Sequence, residues 1–396
     1  MKIVVDSKVL KKSLSLLGPV ISKKNHFKPI LADVLLEAGG GKITATTTDL
    51  EVGIRVNLDA EIVEEGNIAC PYIGLLGPAS AAKGLITIRT PDDEAVGSRV
   101  LLDVAGGGEV EILADDPADY PEVPQAEGSS VVVPGAEILK GIRLTSFAMA
   151  RERKRYALNG LLLSVEKGKK ICLTATDMKR IARYELNPTS SILKRNLLDD
   201  GKKPIEREVV PFEAILPIQA IKALRGMVDG KGEVRIFPDL ENVVVFQTPK
   251  GEVATRTIEG QFPPCQTVFD GIDKGYICVN LPIAALGDAL DAVSVAVNRD
   301  SPAVRFKLSR KGINLDAEDS EGMKAVALIP GGTYKGSPME IGFNPHFLED
   351  FLAAVKKELD ETTIPFMVKE PTLPASVRMD DGRYKYVVMP VFFKGE

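Results

Sequence analysis

Tryptophan is absent from this chain and histidine nearly so: the 396 residues hold no Trp and two His, His26 and His346, with no H-E-x-x-H spacing. Histidine-centred acid–base chemistry and zinc hydrolysis therefore lack their usual carriers. Cysteine is scarce as well. Cys70, Cys172, Cys265 and Cys278 lie far apart with no C-x-x-C pair, so buried free thiols are expected in place of a disulfide framework or thiolate metal site. No apolar run reaches the roughly 18 residues that cross a bilayer. The chain opens on Ile3-Val4-Val5, strand-like, with no basic and then apolar leader. A cytoplasmic protein without membrane partners is the expectation.

A phosphate loop is missing too. Gly39-Gly40-Gly41-Lys42-Ile43-Thr44 does not satisfy G-x-x-x-x-G-K-[ST], and Lys42 enters a strand where a P-loop lysine would enter a helix. A turn between two strands accounts for it. Asp49, Asp177 and Asp319 recur at one structural corner, which suits turn hydrogen bonds better than metal ligation. Asp115, Asp116 and Asp119 form a local acidic cluster that reads as a solvated loop. The sequence offers no candidate catalytic residue, cofactor site or metal ligand.

What the chain does have is ordinary globular composition, 44% apolar and 27% charged, with enough length for two to four domains at roughly 100 to 200 residues each. Its net charge of −5 argues mildly against nucleic-acid binding, although the distribution of charge matters more than the sum.

The chain also repeats itself. A short apolar strand, a junction and an apolar-periodic helix occur at Ile3–Val5 leading into Val9–Leu17, at Val131–Val133 leading into Ile138–Met149, and at Ile277–Val279 leading into Ile283–Val293. Each is followed by strands with an acidic corner, and each copy closes on a similar pair, Tyr120-Pro121, Phe262-Pro263 and Met389-Pro390. Within each copy the same half-unit of one helix and about four strands occurs twice, with second helices at 72–83, 218–227 and 345–359. Long-period repetition predicts stacked units sharing one working surface. The expected fold is α+β: three similar domains, 1–126, 127–270 and 271–396, each with two helices packed on antiparallel sheets. A polar insertion at 187–206 lengthens the central domain as a surface loop. An arc of three such domains can close head to tail with a second copy into a ring.

Basic residues then gain meaning from their spacing. Lys8 and Lys11, Lys140 and Arg143, and Lys222 and Arg225 each stand three apart on one helix face, and Lys356 with Lys357 ends another helix. Two readings share this pattern: solvated helices that carry charge for solubility, and a concave surface for a phosphate backbone. Asp288 and Asp291 on the first helix of the third copy make the surface uneven.

Several runs carry a family resemblance. Lys28-Pro29-Ile30-Leu31, Thr48-Asp49-Leu50-Glu51, Arg155-Tyr156-Ala157-Leu158-Asn159-Gly160, Thr174-Ala175-Thr176-Asp177, Glu259-Gly260-Gln261-Phe262-Pro263 and Tyr386-Val387-Val388-Met389-Pro390 resemble the bacterial DNA polymerase III beta subunit, the sliding clamp, over essentially the full length. The resemblance implies a homodimeric ring of six similar domains, helices lining the hole, that encircles double-stranded DNA and confers processivity on the replicative polymerase. It implies no catalysis, even though such chains carry nucleotidyltransferase labels by association. The implied partners are a second copy of the chain, the replicative polymerase alpha subunit, the clamp loader, and other polymerases and repair proteins that insert a short peptide motif.

By the same resemblance, the peptide pocket would be walled by Arg155, Leu158, Thr176, Met178, Lys179, Arg180, Ile181, Pro263, Val268, Val387, Met389, Pro390 and Val391. An apolar floor there suits leucine or phenylalanine anchors. Met178-Lys179 stands where many relatives have Gly-His, Thr267 replaces an often basic position, and Phe392 and Phe393 are placed to fold over the pocket. The dimer contact would pair an edge around Val110 and Ile112 with the region of Val295, Ala296 and Val297. Two rival readings are an enzyme of nucleotide metabolism, which lacks a site, and an interaction scaffold without nucleic acid, which salt-dependent DNA binding would distinguish.

Overall fold

The computed structural model describes residues 1–21, 28–91, 99–152, 156–166, 170–187, 211–238, 242–271 and 275–393. The 187–206 insertion, from 188 onward, and Arg155 therefore lie outside the described residues.

The first copy runs β1 (Lys2–Asp6), α1 (Ser7–Leu17), β2 (Asp33–Gly39), β3 (Lys42–Thr48), β4 (Val52–Asn57), β5 (Glu61–Glu64), then β6 (Gly66–Pro71), α2 (Tyr72–Ala81), β7 (Leu85–Arg89), β8 (Arg99–Val104) and β9 (Gly108–Leu113). The second runs β10 (Val131–Pro134), α3 (Gly135–Thr145), β11 (Gly160–Val165), β12 (Ile171–Thr176), β13 (Arg180–Leu186), then β14 (Phe212–Pro217), α4 (Ile218–Met227), β15 (Glu233–Pro238), β16 (Val243–Thr248) and β17 (Gly251–Arg256). After the short α5 (Gln266–Asp270) come β18 (Ile277–Pro282), α6 (Ile283–Val293), β19 (Val304–Ser309), β20 (Gly312–Glu318), β21 (Lys324–Leu328) and β22 (Thr333–Tyr334). The last half-unit is β23 (Met339–Phe343), α7 (Pro345–Glu358), β24 (Thr363–Val368), β25 (Ala375–Met379) and β26 (Tyr384–Val388). Every half-unit thus reads strand, helix, strand, strand, strand, with one extra short strand, β5 and β22, closing the first half-units of the first and third copies.

Strand-to-helix junctions share a local cause. Four of the six opening strands end on proline, at Pro71, Pro134, Pro217 and Pro282. Its fixed φ and missing N–H suit the position just before a helix. The other two junctions are capped by side chains: Asp6 accepts from the Lys8 N–H at 2.9 Å, and Asn344 accepts from the His346 N–H at 3.0 Å, with Pro345 at the first helical position.

The acidic corners are likewise built from one pattern. Asp49 Oδ1 accepts from the N–H groups of Glu51 and Val52, Asp177 Oδ1 from Lys179 and Arg180, and Asp319 Oδ1 from Glu321 and Met323. In the first two, Thr48 and Thr176 bond back across the corner, and Leu50 (φ 79°) and Met178 (φ 73°) take the left-handed conformation.

The chain divides into two compact units, residues 1–137 with 188–257, and residues 138–187 with 258–396. In the first unit, one sheet is ordered β5-β1-β7-β8-β9 and another β10-β15-β16-β17-β4-β3-β2-β6. The β4–β17 pair joins the first copy to the second in a single sheet, Val52 opposite Thr255 through Val56 opposite Gly251. Only glycine fits at that last position, since a Cβ on Gly251 (φ +144°) would lie 2.0 Å from the Arg55 carbonyl oxygen. Leu10, Leu14 and Leu17 of α1 bury against the sheet core that includes Ile54. In the second unit, the order β11-β12-β13-β26-β25-β24-β18-β22 contains the matching seam, β13 on β26, with Arg180 opposite Val388 through Tyr184 opposite Tyr384. A further sheet is ordered β21-β20-β19-β23.

Candidate partner-binding groove and basic surface

At the β13–β26 seam the second unit holds a cavity of about 270 Å³. Its walls come from three segments: the β12–β13 corner with Thr176, Met178, Lys179, Arg180 and Ile181; the segment around α5 with Pro263, Pro264, Cys265, Thr267 and Val268; and β26 with Val387 and Met389. The Met389 N–H donates to the Lys179 carbonyl at 2.8 Å, which carries the strand pairing up to the corner. Arg183 fixes the α5 wall: its guanidinium donates to Gln266 Oε1 at 2.8 Å, to Glu166 Oε1 at 2.6 Å and to Cys172 Sγ at 3.1 Å. Burial pushes the Cys265 thiol up to about 11, so it presents a neutral S–H at physiological pH.

Arg180 forms the floor beneath the corner. It is only 6% exposed and donates to Asp177 Oδ2 at 3.0 Å, Asp350 Oδ2 at 2.8 Å and the Phe147 carbonyl at 2.8 Å, with Phe347 facing its guanidinium at 4.4 Å. Burial works against its charge, but Tyr386 and the two carboxylates outweigh burial and its pKa is raised. A second hollow of about 570 Å³ shares Lys179 and Arg180 and continues to Met149, Arg151, Asn344 and Phe347.

Nine residues expected at the pocket thus meet around one cavity. Of the others, Leu158 and Pro390 are buried and Val391 donates its N–H to the Gly342 carbonyl; the described lining of the cavity includes none of the three. Pro264 and Cys265 were missed as walls, and Thr267, expected only as a departure at an often basic position, joins them. The doubled proline before Cys265 was the available signal, because it holds the chain extended where it meets the corner. Phe393 does not fold over the cavity. It stacks on the Arg305 guanidinium at 4.2 Å and packs against Gly342, where a glycine leaves room for the ring.

The basic residues divide in two groups. In the first unit α1 and α4 pack together and carry no acidic residue, leaving Lys8, Lys11, Lys222 and Arg225 exposed. In the second, Lys140 is paired with Asp380 at 2.8 Å and Arg143 with Glu358 at 3.0 Å, both half-buried, while Lys356 stays exposed with its amine beside Gly287 of α6.

At the expected dimer contact, Val110 (37% exposed) and Leu113 (75%) point outward from β9, while Ile112 is buried over Gly74 of α2. Val295 is exposed and Ala296 buried in the turn packed beside β21, whose Val326 and Leu328 are exposed. Both β9 and β21 end their sheets.

Paired α+β half-units, joined edge to edge by antiparallel strands, with a groove at a seam and a basic helical surface, define the three-domain clamp architecture. The chain belongs to the DNA polymerase III beta subunit family: the models of its N-terminal, central and C-terminal domains match residues 1–75, 132–198 and 275–392. It is similar to the beta sliding clamps of Chlamydia pneumoniae, at 25% identity with 99% of each chain covered, and of Pseudomonas aeruginosa, at 27% identity with 99% of this chain and 100% of the other. The crystal structure of the DNA polymerase III subunit beta from Pseudomonas aeruginosa superimposes with a TM-score of 0.86 at 25% identity, covering 99% of this chain and 100% of that one. As a member of the family, the chain is a non-catalytic subunit.

Proposed function

We infer that this chain acts as a DNA sliding clamp, two copies closing head to tail around duplex DNA and tethering the replicative polymerase. One observation carries the closure. β4 and β13 are equivalent strands of the first and second copies, and each pairs with the last strand of the next copy, β17 and β26. Among the described residues, their third equivalent, β21, and the remaining last strand, β9, have no strand partner at the sheet edge. Unpaired edges carrying Leu113, Val326 and Leu328 would be an aggregation liability on a lone chain. Pairing β21 of one copy with β9 of another repeats the internal seams and covers both of these edges.

The repeat supports three domains at 1–126, 127–270 and 271–396, with the insertion at 187–206 belonging to the central one. Lys8, Lys11, Lys222, Arg225 and Lys356 would face DNA phosphates, few enough to permit sliding. Lys140 and Arg143 would contribute weakly, since their charges are spent on Asp380 and Glu358. The cavity at the second seam would take leucine or phenylalanine anchors of a short partner peptide, from the polymerase, the clamp loader or repair proteins, with the Arg180 hollow extending it. No described helix is long and apolar enough to cross a membrane; a replication clamp would work in the cytoplasm.

The test is topological. The protein is loaded on nicked circular DNA by a matching clamp loader, washed in high salt, and measured before and after linearisation. Retention that survives salt and vanishes on linearisation supports the ring; loss in salt from the intact circle refutes it.

A further inference from the structure

At the far end of the β19–β20 hairpin from the Asp319 corner, the second unit holds an open cavity of about 550 Å³ whose lining includes Arg310, Lys311 and Lys335 with Ser309, Thr333 and Tyr334. Among the described residues, no carboxylate lines it. This is a local reversal on a chain of net charge −5. Elsewhere on the same sheet cations are matched: Arg305 with Glu340 at 3.6 Å, Lys307 with Asp316 at 3.0 Å and Lys324 with Glu318 at 3.2 Å. Among the described residues, Arg310, Lys311 and Lys335 have no such partner.

The frame around the three cations is fixed. Ser309 closes the turn, donating to the Gly312 carbonyl at 2.9 Å and accepting from the Lys311 N–H at 3.3 Å. β22 is held by Tyr334 opposite Val279 and Thr333 opposite Asn280. Thr333 Oγ1 accepts from Asn280 Nδ2 at 3.4 Å, so its own hydroxyl hydrogen remains available to a ligand. Tyr334 is buried and offers no open ring face for a base to stack on. The cavity therefore reads charge, not nucleobase.

We propose that this cavity is a binding site for adjacent phosphate groups, held by Arg310, Lys311 and Lys335 from two separate segments. Three cations around one opening match the spread charge of a di- or triphosphate or of consecutive phosphates on a nucleic-acid strand, and arginine adds a two-pronged donor. The site is separate from the groove and the basic helices, and it stands whether or not the ring forms.

The test uses the full chain, ¹⁵N-labelled, titrated with inorganic tripolyphosphate at low salt while the amide signals of Gly312 and Gly332 are followed. Saturable shifts at both are expected, and the combined variant R310A/K311A/K335A should bind about tenfold more weakly or worse, with unchanged melting temperature. The variant K324A, on the same sheet, should bind like the parent. A blunt duplex oligonucleotide in a second arm assigns the source: shifts at the same amides point to backbone phosphates, and their absence alongside tripolyphosphate binding points to a free polyphosphate. Absent shifts with tripolyphosphate, or equal affinity in the triple variant, would overturn the site.

Discussion

Arg180 Nη1 stands 2.8 Å from Asp350 Oδ2, which ties the corner after β12 to α7 across 170 residues of chain. The same guanidinium holds Asp177 and the Phe147 carbonyl, so one buried cation sets the shape of the groove floor. Replacing Arg180 by alanine strands Asp177 without its partner and is expected to cost about 3 kcal/mol, read by urea unfolding. Arg180→Lys should recover only part of that, because an ammonium cannot serve three directions in one plane. A loss below about 0.5 kcal/mol, the size of an exposed pair, would show that the network is ornamental to stability.

How much of this was legible beforehand depended on distance along the chain. The helices 218–227 and 283–293 read correctly to the residue because Pro217 and Pro282 mark their starts. The helix expected to reach Met149 stops at Thr145, whose hydroxyl donates back to the Gly141 carbonyl at 2.6 Å, and residues 146–148 tighten into a 3₁₀ turn. Turn chemistry at Asp49, Asp177 and Asp319 is local and was readable. The pairing of Lys140 with Asp380 and Arg143 with Glu358 was not, since 240 and 215 residues separate the partners. Helix-face spacing predicts which side a lysine faces and says nothing about a carboxylate brought in by another copy.

Asp33 gives the first unit a pH dependence. Its carboxyl is buried with one oxygen unpartnered, and burial first, then the nearby Asp115 carboxylate, raise its pKa from 3.8 to about 7. An acid with a raised folded pKa holds its proton more tightly in the folded state. Its contribution is complete below pH about 4 and is lost as pH rises toward about 7. The urea midpoint should therefore fall between pH 5 and pH 8, and Asp33→Asn should flatten that fall. An equal fall in the variant would assign the effect to other groups.

The edge strands make a sharper dimer test than the buried Ile112. Ile112 packs over Gly74, so an aspartate there would damage the monomer as well as the contact. Leu113 and Val326 are 75% and 71% exposed, and Leu113→Asp or Val326→Asp should leave the melting temperature of the isolated chain intact while opposing burial of the edge. Sedimentation is expected to show monomer for each at micromolar concentration. A dimer that persists in both variants would place the contact elsewhere.

Met389 reports on the groove without disturbing its frame. It is 42% exposed at the cavity wall, while its backbone is held to Lys179, so Met389→Asp changes the apolar surface and keeps the strand. A fluorescent peptide with leucine and phenylalanine anchors should lose about 2 kcal/mol of binding, roughly thirtyfold, with no change in melting temperature. Removing residues 392–396 should leave that affinity unchanged, because Phe393 lies on Arg305 and Gly342 and not over the cavity. If truncation alters the affinity and Met389→Asp does not, the peptide docks against the tail, and the cavity at the second seam is ordinary surface relief.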